Sequence, residues 1–133
     1  MTKQSKNTCP CLSTLPYEQC CGQYHPSGGH APTAEALMRS RYTAYVMGDA
    51  QYLFRTWHAS TRPSLQSLKA SGPQTLIALK IVSTQAGGAD DKTGIVEFIT
   101  SRFSPSLMGE IEQHKEKSLF TRVKGNWVYI DAI

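Results

Sequence analysis

The chain has 133 residues, of which 40% are hydrophobic and 18% charged; this is the size and balance of one folded domain and excludes both a disordered chain and two full domains. The formal net charge is +4, and the 14 basic residues are scattered with no cluster longer than Arg39-Ser40-Arg41, so a nucleic-acid partner is not indicated. No apolar run approaches the ~20 residues that cross a bilayer, and the polar start MTKQSKNT is not a secretory signal, so a cytoplasmic, reducing setting without membrane contact is expected.

All four cysteines lie between Cys9 and Cys21, as two close pairs, Cys9/Cys11 and Cys20/Cys21, joined by a short loop. Structural zinc takes a closed tetrahedron of soft ligands, and two linked thiolate pairs supply it at low loop-closure cost. A disulfide suits an oxidising compartment, and a bond between adjacent Cys20 and Cys21 would be strained. Iron–sulfur sites separate consecutive ligands more widely, and a CxC redox site leaves the second pair unexplained. The prediction is one zinc ion on Cys9, Cys11, Cys20 and Cys21, structural because four thiolates leave no open position. So short a segment cannot bury a core of its own, which couples its folding to the metal.

Cys9-Pro10-Cys11-x-Ser13, with Cys20-Cys21-Gly22 and Tyr24-His25, resembles the SEC-C motif, the zinc tail of the SecA translocation motor. The resemblance implies the same four ligands and a knuckle that docks on a protein partner. Thr14 departs from it, standing where the motif usually has glycine, as does Pro16-Tyr17-Glu18, where lysines are common. His25 is left without a coordination position.

Pro26 to Pro32 is rich in breakers and reads as a linker, dividing the chain into 1–28 (zinc motif) and 29–133. Thr33 is the predicted N-cap of a helix whose apolar face is Ala34, Leu37, Met38, Tyr42, Tyr45 and Val46, ended by Gly48. Asp49 caps a second, shorter helix carrying Leu53, Phe54 and Trp57, with Trp57-His58 at its end. After a further helical turn over 64–70, strands follow at 75–84, 94–103, 110–124 and 127–130, with a turn at 105–109. Helices followed by an antiparallel meander give an α+β layout with helices on one face of a bent sheet.

Within this layout Arg41 falls on the apolar face of the first helix. A guanidinium there needs a partner, for which Glu97 and Glu116 are the natural choices. Lys115 and Lys117 share one face of the third strand, so His114, Glu116, Ser118 and Phe120 turn inward. A candidate pocket therefore comprises Arg41, Tyr45, Trp57, His58, Glu97, His114 and Glu116.

The 31–133 stretch resembles the nuclear-transport-factor-like (cystatin-like) fold, a cone of helices closed by a bent sheet. With the zinc motif, the whole chain resembles the bacterial YchJ family through Leu37 to Tyr45, Thr56-Trp57-His58-x-Ser60-Thr61-Arg62-Pro63, Val96-Glu97-Phe98, Glu116-x-Ser118-x-Phe120 and Trp127-x-Tyr129-x-Asp131. That resemblance implies a fold and a zinc site and brings no activity with it. The functional expectation is an adaptor that presents knuckle and cone to a protein partner. The alternative is a pocket enzyme acting on a small-molecule ligand, with Glu116 or His58 as acid or base and Arg41 holding an anion.

Overall fold

The structure is a computed structural model describing residues 8–26, 28–104 and 109–133. Residues 1–7 of the segment predicted to bind zinc and, Gly109 apart, the turn predicted at 105–109 lie outside them. The described elements are helices α1 (Ala34–Met47), α2 (Ala50–Arg55) and α3 (Leu65–Ser71), then strands β1 (Leu76–Ala86), β2 (Thr93–Phe103), β3 (Ile111–Val123) and β4 (Asn126–Ala132). The strands form one antiparallel sheet in the order β1-β2-β3-β4. None of the described helices is long and apolar enough to cross a membrane.

The helix boundaries follow from their caps. Thr33 accepts the Ala36 amide at 3.1 Å, Asp49 that of Tyr52 and Ser64 that of Ser67, the side-chain capping expected of these residues. Gly48 ends α1 at φ 77°, and a Cβ there would come within 2.9 Å of Pro73, so both torsion and space call for glycine. α2 stops at Arg55, two to three residues short of the predicted end at Trp57-His58. Trp57 instead forms a parallel bridge with Tyr129, and the two segments exchange backbone bonds, Tyr129 N–H to Thr56 and His58 N–H to Tyr129.

Pleat alternation sorts the sheet. Val96, Phe98 and Thr100 of β2 lie beside Ser118, Glu116 and His114 of β3 on the helix side, and Glu97 and Ile99 lie beside Lys117 and Lys115 on the other. Leu37, Met38 and Tyr42 of α1 pack with Val96, Phe98, Phe120 and Trp127 in a buried cluster that also contains Cys9, Cys11 and Cys21. The N-terminal segment is thus built into the core. Arg55 ties it down by donating to the carbonyls of Gly29 (2.9 Å), Tyr24 (2.7 Å) and Pro26 (3.0 Å).

Candidate functional site

Tight turns deliver the two cysteine pairs. Leu12 and Thr14 sit at positive φ, 66° and 74°, and the Cys9 amide closes the loop onto the Leu15 carbonyl at 2.8 Å. For β-branched Thr14 that conformation is strained by about 1–2 kcal/mol, which explains physically why glycine suits the position. Two 3-10 turns, Tyr17–Gln19 and Cys21–Gln23, then return the second pair.

The four Sγ atoms all lie within 4.8 Å of one another, with Cys11–Cys20 at 3.6 Å and Cys20–Cys21 at 4.0 Å. A tetrahedron with metal–sulfur bonds of ~2.3 Å has edges of ~3.8 Å, so the cluster has the size of a four-thiolate metal site. All four cysteines are free, and three are buried. Four thiols this close cannot all ionise alone. Hydrogen bonds with Cys11 and then Cys21 hold Cys9 far below the usual thiol range, while those with Cys11 and Cys9, and then burial, push Cys21 far above it. Burial raises Cys20 as well. Full ionisation of such a set requires a cation, so the donors are compatible with metal binding.

Hydroxyls complete the sulfur environment. Ser13 Oγ is 3.0 Å from Cys20 Sγ. Thr43, on α1, donates to Cys21 Sγ at 3.3 Å and lies 3.6 Å from Cys9 Sγ. Arg39 donates to the Cys11 carbonyl at 3.1 Å while pairing with Glu35. His25 is committed elsewhere: its Nε2 meets the Ser40 carbonyl at 2.9 Å and must donate there, so its Nδ1 accepts from the Tyr17 hydroxyl at 2.7 Å.

The second feature is a cavity of about 260 Å³ between α1 and the sheet, lined by Met38, Arg41, Tyr42, Tyr45, Gln74, Leu76, Phe98, Thr100, Glu116, Ser118 and Tyr129. Of the residues predicted from sequence it unites Arg41, Tyr45 and Glu116. Arg41 is 3% exposed. Its Nη1 donates to the Leu53 carbonyl at 3.0 Å and to Thr56 Oγ1 at 2.8 Å. The guanidinium lies over the rings of Trp57 and Tyr129, 4.7 and 4.8 Å from their centroids. Burial lowers its pKa, an effect opposed by the tyrosines Tyr45, Tyr129 and Tyr52.

The expected carboxylate partner is not there: none of the ion pairs among the described residues involves Arg41. Two aromatic faces and two neutral oxygens take that place. Glu97 points to the opposite face of the sheet, where it pairs with Lys115 at 3.2 Å and accepts from Ser83; the Lys115 hydrogen bond lowers its pKa. Glu116 lines the cavity but accepts from Ser118 Oγ at 2.5 Å and from the Tyr129 hydroxyl at 3.1 Å.

The other three predicted residues lie outside the cavity lining. Trp57 packs on Arg41 and edge-on against Tyr129, and its indole Nε1 is buried with no hydrogen-bond partner. His58 turns away, its Nδ1 engaged by Ser60. His114 is 71% exposed beside Glu116 and lines an adjoining open groove with Arg102 and Glu112. Thr43, Tyr129 and Thr100 were not predicted. Strand alternation carries a signal for Thr100, two residues after Phe98. Thr43 and Tyr129 are identified only once α1 meets the cysteine loop and β4 meets residues 56–58.

Comparison with known proteins gives consistent relatives. Residues 33–132 match the family described as YchJ, middle NTF2-like domain. A UPF0225 protein of Streptomyces coelicolor is 48% identical over 124 residues, covering 93% of each chain. A UPF0225 protein of Xanthomonas campestris pv. campestris is 44% identical over 124 residues, covering 93% of this chain and 92% of its own. Among solved structures, a SEC-C motif containing protein from Rhodopseudomonas palustris superposes with a TM-score of 0.81 at 29% identity, covering 95% of this chain and 97% of its own. A SEC-C motif containing protein from Psychrobacter arcticus gives 0.77 at 27% identity, covering 96% and 82%.

Proposed function

The chain belongs to the UPF0225 family, with a YchJ middle NTF2-like domain, and from that premise we propose that it is a zinc-braced protein that binds a small anionic molecule in the cone. In this reading one zinc ion is held by Cys9, Cys11, Cys20 and Cys21. The metal is structural, because the set is closed and mostly buried. A reducing cytoplasm suits it, since the thiols must stay free for metal. The zinc closes the N-terminal segment on itself, and Thr43 joins that knuckle to α1, the helix that also carries Arg41.

The observation that carries the reading is Arg41: a guanidinium 3% exposed, lining a cavity and paired with no carboxylate among the described residues. A buried cation is costly unless something meets its charge. An anion entering the cavity would supply that charge in a setting where it is poorly screened.

Nitrogen-15 NMR of the zinc-loaded chain, titrated with straight and branched carboxylates of two to six carbons, tests this. The expected result is saturable shifts of the Arg41 side chain and the Trp57 indole N–H, absent in Arg41→Met. Shifts spread over exposed lysines, with none in the cavity, would contradict it.

A second reading, a protein-docking adaptor, draws on Leu12 and Leu15, which are 49% and 48% exposed on the cysteine loop. Its partner would contact that loop, so Leu12→Ser with Leu15→Ser would abolish docking and leave cavity binding intact.

A further inference from the structure

Two opposite charges share the cavity without meeting. Both contact Tyr129: the Arg41 guanidinium lies 4.8 Å from its ring centroid, and Glu116 Oε2 is 3.1 Å from its hydroxyl. Each charge is anchored separately, Arg41 through Nη1 to Leu53 and Thr56, and Glu116 through Oε2 to Ser118 and through Oε1 to the exposed His114 at 3.4 Å. An Arg and a Glu free to move in so small a space would form a bidentate pair. Here Arg41 is held over the face of Tyr129 and Glu116 at its hydroxyl, the two form no ion pair, and both line the cavity.

A ligand with one charge satisfies one of these groups and leaves the other as it was. A ligand with both, a few bonds apart, satisfies both at once. The rest of the lining is largely apolar, with Met38, Leu76 and Phe98. The volume of about 260 Å³ falls below the ~300–1,000 Å³ typical of drug-sized ligands, which selects a molecule of a few heavy atoms. Resting on the reading of this cavity as a ligand site, we propose that its ligand is a small apolar α-amino acid, bound as the zwitterion with its carboxylate on Arg41 and its ammonium on Glu116. The adjoining groove, where His114 and the Arg102–Glu112 pair are exposed, is the polar approach by which such a molecule enters.

Matched compounds separate the two halves of this inference. Calorimetric titration of the zinc-loaded full chain uses L-leucine, 4-methylpentanoate, which lacks the amine, and 3-methylbutan-1-amine, which lacks the carboxylate. Alanine, valine, methionine and phenylalanine are each run against their own desamino acids and their own decarboxylated amines. At least one amino acid is expected to bind about tenfold or more tightly than either of its analogues, the worth of one charge-assisted hydrogen bond. Glu116→Gln, nearly isosteric, is expected to bring that amino acid and its desamino acid to within about threefold of each other. If the desamino acids bind as tightly as the amino acids to the wild-type chain, the zwitterion is wrong while the anion pocket stands. If neither series binds, the anion pocket falls with it.

Discussion

The hydroxyl of Thr43 donates to Cys21 Sγ at 3.3 Å from the third turn of α1. One helix therefore serves both features of the molecule: Thr43 faces the cysteines, while Arg41, two residues earlier, faces the cavity. Residues two apart on a helix point in well-separated directions, which lets α1 stand as the wall between the cysteine cluster and the cavity.

The first prediction concerns that hydroxyl. Thr43→Val keeps the shape and removes the donor to Cys21 Sγ, a ligand in the proposed zinc site. Outer hydrogen bonds of this kind are worth about 10–100-fold in metal affinity, so zinc affinity, measured by competition with a chromophoric chelator, falls about tenfold. Thr43→Ser retains most of it. An unchanged affinity in the valine variant would show that the contact is packing alone.

A second prediction concerns the stability cost of Arg41. Had it been paired with Glu116 or Glu97, Arg41→Met would strand a carboxylate and cost about 3–5 kcal/mol. Glu116 keeps Ser118 and Tyr129, and Glu97 keeps Lys115, so nothing is stranded. The variant loses two hydrogen bonds and two cation–π contacts and is relieved of a buried charge. Its unfolding free energy, from urea titration, is expected within about 1.5 kcal/mol of wild type. A loss of ~4 kcal/mol would make Arg41 a structural residue.

These outcomes bear on what was legible in the sequence. Helical spacing put Arg41 on the buried face, and the lysine pair on β3 turned Glu116 inward; both follow from local periodicity. The wrong partner for Arg41 arose because its actual contacts come from Trp57 and Tyr129, which the isolated bridge between residue 57 and β4 brings together. No local pattern encodes that bridge. Glu97 is different: between inward Val96 and Phe98, alternation alone sends it to the outer face. His114 follows the inward alternation yet lies past the end of the cavity, a distance that periodicity does not measure. The clustering of the four cysteines was legible, but their burial within the core was not, because the contacts of this segment to Thr43, Ser40 and Arg55 cross the linker.

A third prediction is pH dependence on the alkaline side. Burial pushes Tyr42 and Tyr52 up to about 12 from 10.0. The unfolded chain releases these phenolic protons near pH 10 and the folded chain only near 12. Their contribution is therefore present below pH 10 and is lost as pH rises from 10 to 12, amounting to roughly 2–3 kcal/mol for each. Urea unfolding across that window is expected to show a shallower decline for Tyr52→Phe than for wild type. Equal slopes would mean that Tyr52 titrates normally.

The central claim is that the four cysteines hold one zinc ion as part of the core. Metal analysis of the purified full chain, after dialysis against a weak chelator, tests it most directly. The account predicts close to one zinc per chain, falling well below that in Cys20→Ser. Iron with acid-labile sulfide, or a full complement of zinc in Cys20→Ser, would contradict it.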